Sequence, residues 1–451
     1  MGRLFGTDGI RGIAGKELSC ELVMKLGKAT AYVISKFHSS SLNILIGRDT
    51  RISGNMLENA FVAGACSIGA NCHLAGVVPT PAISLLVERY KMEIGVMISA
   101  SHNPVEFNGI KIFNRYGFKI SDELELEIEK FVLEEYDKIH ENVDLNFGRC
   151  YLCKRAVLDY VEYVASTVSN RDFSKLKVAV DCANGSATAT AIKLFEKLKI
   201  DAEFVNISPD GFNINKNCGS THIEKFSKYV KNKGFNLGVA FDGDADRCLA
   251  IDENGEVIDG DQLIAIFARC MKDSGKLKNN TVVITVMSNL GIFHFAREND
   301  INLEVTQVGD RNVLKSMIKN GYVIGGEQSG HIIFKDYANT GDGQLTAVQL
   351  IDCINNSSES VSDLAKLMIK FPQVLVNIKA DKNQKKKYFQ NREIENYIQK
   401  KEKILGDDSR ILIRCSGTEP IIRIMIEGPN KELIEKTSKE VANRISKLVR
   451  A

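Results

Sequence analysis

The chain has 451 residues, and its 59 lysine and arginine residues nearly balance 57 aspartate and glutamate residues, giving a net charge of +2. This balance gives no electrostatic case for a nucleic-acid or membrane partner. A chain this long should divide into several domains, and neither a membrane-spanning stretch nor a signal peptide is predicted. Its eleven cysteines are scattered and odd in number, which is typical of a reducing cytoplasm.

Three short apolar strands each lead through a polar loop into a helix-like segment. The strands are Ile44–Ile46, Val178–Val180 and Val282–Val286. Repeated strand–loop–helix units of this kind predict three related α/β domains. Amphipathic patterns predict helices at Ser121–Tyr136 and Val157–Val168.

Polar links and a change of pattern divide the chain. Links are predicted near Asn146–Leu152 and Asp252–Asp261, and the pattern changes after Phe371-Pro372. The remainder predicts a smaller α+β unit with strands Val374–Ile378, Arg410–Arg414 and Ile421–Ile426, a lysine-rich helix, and a last helix Lys431–Val449. We therefore expect four domains, at residues 1–150, 151–253, 254–370 and 371–451.

A serine stands in a turn directly after the predicted strand Ile94–Ile98. The sequence continues Ser99-Ala100-Ser101-His102-Asn103-Pro104, a composition typical of a turn. Ser101 is the candidate nucleophile, and Ser99 is the competing hydroxyl. The absence of a Gly-x-Ser-x-Gly elbow disfavours an acyl-transfer triad.

Three carboxylates follow the predicted strand Leu237–Phe241. The sequence continues Asp242-Gly243-Asp244-Ala245-Asp246-Arg247. Alternate residues of an extended segment point the same way, so the three carboxylates can converge on one point. Because like charges repel, we expect a cation between them, and carboxylate oxygens suit Mg²⁺ or Ca²⁺ better than a soft metal.

An EF-hand calcium loop is the alternative for these carboxylates, since Glu253 stands where its last ligand would be. However, Arg247 occupies the position at which that loop needs glycine for its turn. The preceding segment is also a predicted strand, whereas an EF-hand loop follows a helix. The sequence therefore favours a different divalent-cation site.

Two later loops combine glycine with polar side chains. Gly325-Gly326-Glu327-Gln328-Ser329-Gly330-His331 offers groups that suit sugar hydroxyls, although alone it is an ordinary glycine-rich turn. Arg414-Cys415-Ser416-Gly417-Thr418-Glu419-Pro420, with Arg423 soon after, offers an arginine, hydroxyls and backbone N–H groups for a phosphate. Alone, this loop is equally well a solvated hairpin turn.

Together and in this order, the four loops resemble those of the α-D-phosphohexomutase family. The resemblance covers nearly the whole chain, and it includes Phe5–Gly12, Gly47–Arg51, Asn213–Asn215, Cys218–His222 and Val308–Arg311. It implies an α/β fold of three similar α/β domains with mixed sheets, plus a smaller C-terminal α+β domain, around a central cleft. It also implies transfer of a phosphoryl group between the hydroxyls of a sugar phosphate.

The resemblance implies roles for individual residues. Ser101 would carry the phosphoryl group, and with Asp242, Asp244 and Asp246 it would hold one Mg²⁺. The other catalytic residues would be Arg11, His102 and Lys111, with Lys111 or His331 handling protons. The sugar phosphate would be bound by Arg247, Glu327, Ser329 and His331, and its non-reacting phosphate by Arg414, Ser416, Gly417, Thr418 and Arg423.

One position in the sugar loop bears on the substrate. Gln328 favours the branch that interconverts glucosamine 6-phosphate and glucosamine 1-phosphate, because the phosphomannomutase/phosphoglucomutase branch more often has methionine there. Such an enzyme would be cytoplasmic, would serve UDP-N-acetylglucosamine synthesis, and is compatible with a homodimer. The alternatives are the phosphomannomutase/phosphoglucomutase branch and a metal-dependent phosphatase with a serine nucleophile.

Overall fold

The computed structural model describes residues 3–6, 8–37, 42–139, 146–169, 172–415 and 420–450. The chain forms two compact units, Met1–Val286 with Ile301–Lys366, and Met287–Asp300 with Leu367–Ala451. In the described part, the strands pair into four sheets, three in the larger unit and one in the smaller. No helix among the described residues is both long and apolar enough to cross a membrane.

The first sheet of the larger unit is mixed. Its strands are β1 (Phe5–Gly6), β2 (Gly9–Ile13), β3 (Asn43–Arg48), β4 (Asn71–Val77), β5 (Ile94–Ile98), β6 (Phe107–Asn114) and β7 (Cys150–Leu152). The order across the sheet is β1-β2-β6-β5-β3-β4-β7, and β3, β4, β5 and β7 run parallel. The helices are α1 (Cys20–Ser35), α2 (Ser53–Cys66), α3 (Thr80–Arg89) and α4 (Asp122–Leu133). Ile44 and Val96 of the sheet share a buried core with Leu26 of α1 and Phe61 of α2.

The second sheet has five strands in the order β12-β11-β10-β8-β9. They are β8 (Lys177–Asp181), β9 (Asp201–Val205), β10 (Leu237–Phe241), β11 (Cys248–Asp252) and β12 (Val257–Ile258), with helices α5 (Ala156–Ser166), α6 (Ala191–Lys197) and α7 (Glu224–Lys233). β8, β9 and β10 are parallel, whereas β11 turns back antiparallel to β10. All five residues of β10 are buried.

The third sheet has four strands in the order β14-β13-β15-β16. The elements here are helix α8 (Gly260–Asp273), strands β13 (Thr281–Thr285), β14 (Asn302–Thr306), β15 (Ile324–Gly326) and β16 (Ile332–Phe334), and helices α10 (Asp310–Asn320), α11 (Gly343–Asn356) and α12 (Val361–Ala365). Helix α9 (Leu290–Glu298), between β13 and β14 in the chain, belongs to the smaller unit.

The smaller unit contains an antiparallel sheet of three strands. Its strands are β17 (Gln373–Lys379), β18 (Arg410–Cys415) and β19 (Ile421–Glu427), in the order β17-β19-β18, and its further helices are α13 (Lys382–Gln390), α14 (Arg392–Leu405) and α15 (Lys431–Arg450). Ile422, Ile424 and Ile426 of the central strand pack with Val441 and Ile445 of α15.

The predicted multi-domain α/β fold with mixed sheets is confirmed, and both segments predicted as links also contain regular secondary structure. The link predicted at 146–152 ends in strand β7, which pairs with β4 at the edge of the first sheet. The link predicted at 252–261 contains β12 and the start of α8. Strand β7 pairs with a strand distant in the chain, which leaves no mark on local composition, whereas β12 pairs with the preceding β11 across a polar turn.

Candidate active site

Ser101 lies in a buried turn between β5 and β6. Its backbone is left-handed, with φ of 53°, and the residue is 1% exposed. The hydroxyl donates a hydrogen bond to Asp242 Oδ2 at 2.6 Å, and His102 Nδ1 lies 3.3 Å from Ser101 Oγ. The two loops predicted from sequence therefore meet, although 141 positions separate Ser101 from Asp242.

The three aspartates of the loop between β10 and β11 form a buried cluster. One carboxylate oxygen from each lies within 4.8 Å of the others. Among the described residues, no donor reaches the buried Oδ1 atoms of Asp244 and Asp246. Burial, followed by the charges of Asp246 and Asp244, raises the pKa of Asp242 well above its usual range. Converging hard oxygen atoms, two of them without a donor among the described residues, suit a divalent cation, so these residues fit a metal site.

Close packing of the two loops requires glycine at position 243. A Cβ atom there would lie 2.6 Å from the carbonyl oxygen of Ser101 and 2.8 Å from Asn215 Nδ2. Because the first neighbour is backbone, a side chain at 243 would push the aspartate loop away from Ser101.

Cationic side chains surround the aspartates. Lys111 is 1% exposed, and its Nζ lies 2.9 Å from Asp244, 3.2 Å from Asp246 and 3.3 Å from Asp8. Against the effect of burial, Asp244, Asp8 and Asp246 raise the pKa of Lys111 well above its usual value. Arg11 donates to Asp8 at 2.5 Å. The site therefore holds fixed positive charge next to the carboxylate cluster.

Arg247 and His102 also lie near Ser101. Arg247 Nε lies 3.9 Å from Asp246 Oδ1, and the Arg247 backbone N–H donates to Asp242 Oδ1 at 3.2 Å. Burial, with the nearby Arg247 and Arg11, lowers the pKa of His102 to about 4. An imidazole without charge and two guanidinium groups thus lie close to the serine turn.

The predicted sugar loop, between β15 and β16, approaches the same cluster. His331 lies between two carboxylates, with Nδ1 at 3.7 Å from Asp246 Oδ2 and Nε2 at 3.7 Å from Asp310 Oδ2. Glu327 accepts a hydrogen bond from the Gly309 N–H at 3.0 Å. Ser329 Oγ is buried without a hydrogen-bond partner among the described residues, so it is available to a ligand hydroxyl.

Sequence reasoning missed several residues that contact this site. Thr80 Oγ1 donates to Asp244 Oδ2 at 2.5 Å. Lys119 donates to Asp8 and to Asp310, the latter at 2.5 Å, and so joins the first sheet to the start of α10. Asp8 and Asp310 lie in segments that carried the family resemblance, which was the available signal, whereas Thr80 and Lys119 had none.

The predicted phosphate residues belong to the smaller unit. Arg414 of β18 and Arg423 of β19 are directly opposed in the antiparallel register. Like charges directly opposite each other are unfavourable in a sheet pair. Ser416, Gly417 and Thr418 lie outside the described residues.

Four family models match the chain in order. Three describe the α/β/α domains I, II and III of phosphoglucomutase/phosphomannomutase, at residues 2–138, 158–255 and 259–371, and the fourth its C-terminal domain, at residues 375–444. The chain belongs to the phosphohexomutase family. It is thus an isomerase of the mutase class, and its substrate is a sugar phosphate.

Relatives that match the whole chain place it more finely within the phosphohexomutase family. The phosphoglucosamine mutase of Clostridium novyi is 50% identical over 452 residues, covering 100% of both chains. That of Acetivibrio thermocellus is 49% identical over 445 residues, covering 99% of each. The chain thus groups with the phosphoglucosamine mutases within the phosphohexomutase family.

Solved structures share the fold. A phosphoglucomutase/phosphomannomutase family protein from Burkholderia thailandensis superposes with a TM-score of 0.82 at 22% identity, covering 99% of this chain and 97% of that one. N-acetylphosphoglucosamine mutase from Aspergillus fumigatus, in complex with GlcNAc-6P and magnesium, gives a TM-score of 0.70 at 16% identity, with 98% and 95% coverage.

Proposed function

We propose that this protein interconverts glucosamine 6-phosphate and glucosamine 1-phosphate through a phosphoserine at Ser101 and a bisphosphorylated sugar. The observation that carries the proposal is the 2.6 Å contact between Ser101 Oγ and the buried aspartate cluster. A hydroxyl beside a cation site and fixed positive charge suits phosphoryl transfer. The names of the relatives at about 50% identity support glucosamine as the sugar.

The reaction has two transfers. Phospho-Ser101 gives its phosphoryl group to the free hydroxyl of the sugar monophosphate, and the Ser101 oxygen takes up the proton that this hydroxyl loses. We assign Lys111 or His331 to proton transfer. The bisphosphate then returns its other phosphoryl group to Ser101 after turning over in the site.

Arg11, Lys111 and Arg247 are the side chains proposed to surround the transferred phosphoryl group. Their positive charge would stabilise the charge on its equatorial oxygens as the Ser101 oxygen leaves. His102, whose ring lies beside Ser101 Oγ, is the remaining residue we propose as catalytic.

Mg²⁺ is the cation we propose for Asp242, Asp244 and Asp246, with phospho-Ser101 as a further ligand. When bound, it would offset negative charge on the phosphoryl group. The magnesium in the structure of the Aspergillus fumigatus relative supports this choice, as do the hard carboxylate ligands.

Glu327, Ser329 and His331 are proposed to contact the sugar, and Arg414, Ser416, Gly417, Thr418 and Arg423 its non-reacting phosphate. We also propose the four-domain division at residues 1–150, 151–253, 254–370 and 371–451, which the order of the four family matches supports. A cytoplasmic location and a homodimer complete the proposal, and the molecular mass in solution tests the latter.

Substrate preference tests the proposed function directly. We expect a higher kcat/KM for glucosamine phosphate than for glucose or mannose phosphate, because polar groups arranged for a 2-amino group are left unpaired by another substituent. Parallel assays of the three sugar 1-phosphates, with free phosphate measured in each, provide the comparison. Equal or faster turnover of mannose 1-phosphate would assign the phosphomannomutase/phosphoglucomutase branch, and stoichiometric release of free phosphate would indicate a phosphatase.

Removal of Arg414 tests the phosphate site. Arg414→Ala is expected to raise KM for both sugar phosphates about ten- to one-hundred-fold, since a charge-assisted hydrogen bond contributes roughly 1.5–3 kcal/mol. Phosphorylation of Ser101 should change little. Arg444→Ala is the control, because Arg444 forms an exposed ion pair with Glu393 in the same unit. An unchanged KM would remove Arg414 from the substrate site.

A further inference from the structure

A buried arginine holds the turn that carries Ser101. Arg51 is 1% exposed, and a guanidinium group has five N–H donors. All five are used within the larger unit. The acceptors are Asp49 Oδ2 at 2.9 Å and the carbonyl oxygens of Ser101 at 2.8 Å, Asn103 at 2.8 Å, Pro104 at 2.5 Å and Phe107 at 3.0 Å.

A second connection reaches the backbone of Ser101 from the other side. Ser99 is fully buried; its hydroxyl donates to Asp49 Oδ2 at 2.6 Å and accepts the Ser101 N–H at 2.9 Å. Asp49 is oriented in turn by Arg51, whose backbone N–H donates to Asp49 Oδ1 at 3.0 Å. The N–H and the carbonyl oxygen of Ser101 are thus both tied to the same pair of charged side chains.

The conformation of the turn shows why such a connection is needed. A serine with φ of 53° occupies a region that residues other than glycine rarely adopt. The carbonyl groups of Asn103, Pro104 and Phe107, which follow it, all accept hydrogen bonds from the buried Arg51 side chain, so the path of the turn depends on that one donor group. Release of these contacts would let Ser101 relax and move its Oγ away from Asp242.

We propose that Arg51, Asp49 and Ser99, here called the turn clamp, are positioning residues for phosphoryl transfer. None of the three is assigned to the substrate or to the metal; they act by fixing the backbone on both sides of Ser101. The inference rests on the proposed role of Ser101 as the phosphoryl carrier. It gives Ser99 a function, although in the sequence Ser99 was only the competing hydroxyl.

The clamp should affect the transfer step and leave sugar binding alone. A displacement of about 1 Å in a reacting group can cost about one-hundred-fold in rate. We therefore expect Ser99→Ala to lower kcat by about ten- to one-hundred-fold. Its KM for glucosamine 1-phosphate should stay within about twofold of the wild-type value, because a group that acts only on the transition state changes kcat alone.

The experiment compares Ser99→Ala with Ser438→Ala in the full-length protein. Ser438 is 1% exposed and donates to the Glu435 carbonyl within α15, so its replacement removes a buried hydroxyl outside the proposed site. Steady-state kinetics, the single-turnover loss of phosphate from Ser101 and the ³¹P resonance of the phosphoserine are measured for each. Only Ser99→Ala should show a slower transfer and a shifted resonance.

Arg51→Lys is the second variant, because lysine keeps the charge but lacks the planar fork of donors. It should lower kcat at least as much as Ser99→Ala, and if it does not fold, Ser99→Ala decides alone. A kcat of Ser99→Ala within twofold of the unmodified enzyme, or a raised KM with unchanged kcat, would overturn the proposal. If the wild-type enzyme carried no phosphate on Ser101, that result would instead overturn the proposed function.

Discussion

Ser101→Ala is expected to abolish mutase turnover while the protein stays folded. Alanine lacks the oxygen that accepts the phosphoryl group, so no phosphoenzyme can form. Loss of a covalent nucleophile should lower kcat at least about a thousand-fold. Within the described ranges, the hydroxyl makes one side-chain hydrogen bond to a neighbouring loop, that to Asp242, and this bond is lost with it. Steady-state assays and peptide mass spectrometry, which should locate one phosphate on Ser101 of the unmodified enzyme, check this result.

The control for Ser101→Ala is Ser84→Ala. Ser84 is 4% exposed and donates to the Gly117 carbonyl at 2.6 Å, so this substitution also removes one well-made hydrogen bond from a buried serine. It should leave phosphorylation of Ser101 intact. Substantial turnover by Ser101→Ala, or phosphate found on another residue, would reject the phosphoserine role.

The turn clamp makes the two neighbouring serines experimentally distinct. Ser99→Ala should still accept phosphate on Ser101 and transfer it slowly, whereas Ser101→Ala should accept none. The sequence alone pointed to Ser101, since only that serine precedes His-Asn-Pro, but it offered no reason for Ser99. The reason lies in Asp49, whose carboxylate reaches Ser99 from 50 positions earlier in the chain.

Local chemistry decided which parts of the site could be predicted. Ser101 and the aspartates stand directly after apolar runs that form β5 and β10, and loops at the carboxyl ends of parallel strands commonly carry ligand sites. Strand prediction and side-chain chemistry therefore agreed at these two loops.

Long-range pairing decided what could not be predicted. Thr80 meets Asp244 across 164 positions, and Lys119 meets Asp310 across 191. Thr80 lies between two prolines, a context that indicates only a turn or a helix start. The residues next to Thr80 and Lys119 in the sequence do not indicate these charged partners. The contacts are therefore seen only in the folded structure.

Asp244→Asn is expected to weaken divalent-cation binding and to lower turnover severely. Asp244 Oδ2 already accepts hydrogen bonds from Thr80 and Lys111, while the buried Oδ1 has no donor among the described residues. Asparagine has nearly the same shape but no charge, so the cation loses one of three carboxylates. Because a bound metal contributes several kcal/mol to transition-state stabilisation, we expect a fall in kcat of roughly one-hundred-fold.

Two quantities are measured for each variant: the affinity for Mg²⁺ and the mutase activity. Chelator-treated enzyme is titrated with Mg²⁺ by calorimetry, and activity is followed as Mg²⁺ is added back. Asp159→Asn is the matched control, because Asp159 is 7% exposed and pairs with Tyr90 and Arg155 rather than with the cluster. Its Mg²⁺ affinity should equal that of the unmodified enzyme. Full activity after thorough chelation, or unchanged Mg²⁺ affinity in Asp244→Asn, would exclude these carboxylates as the metal site, since a cation shared by three charges must respond when one is removed.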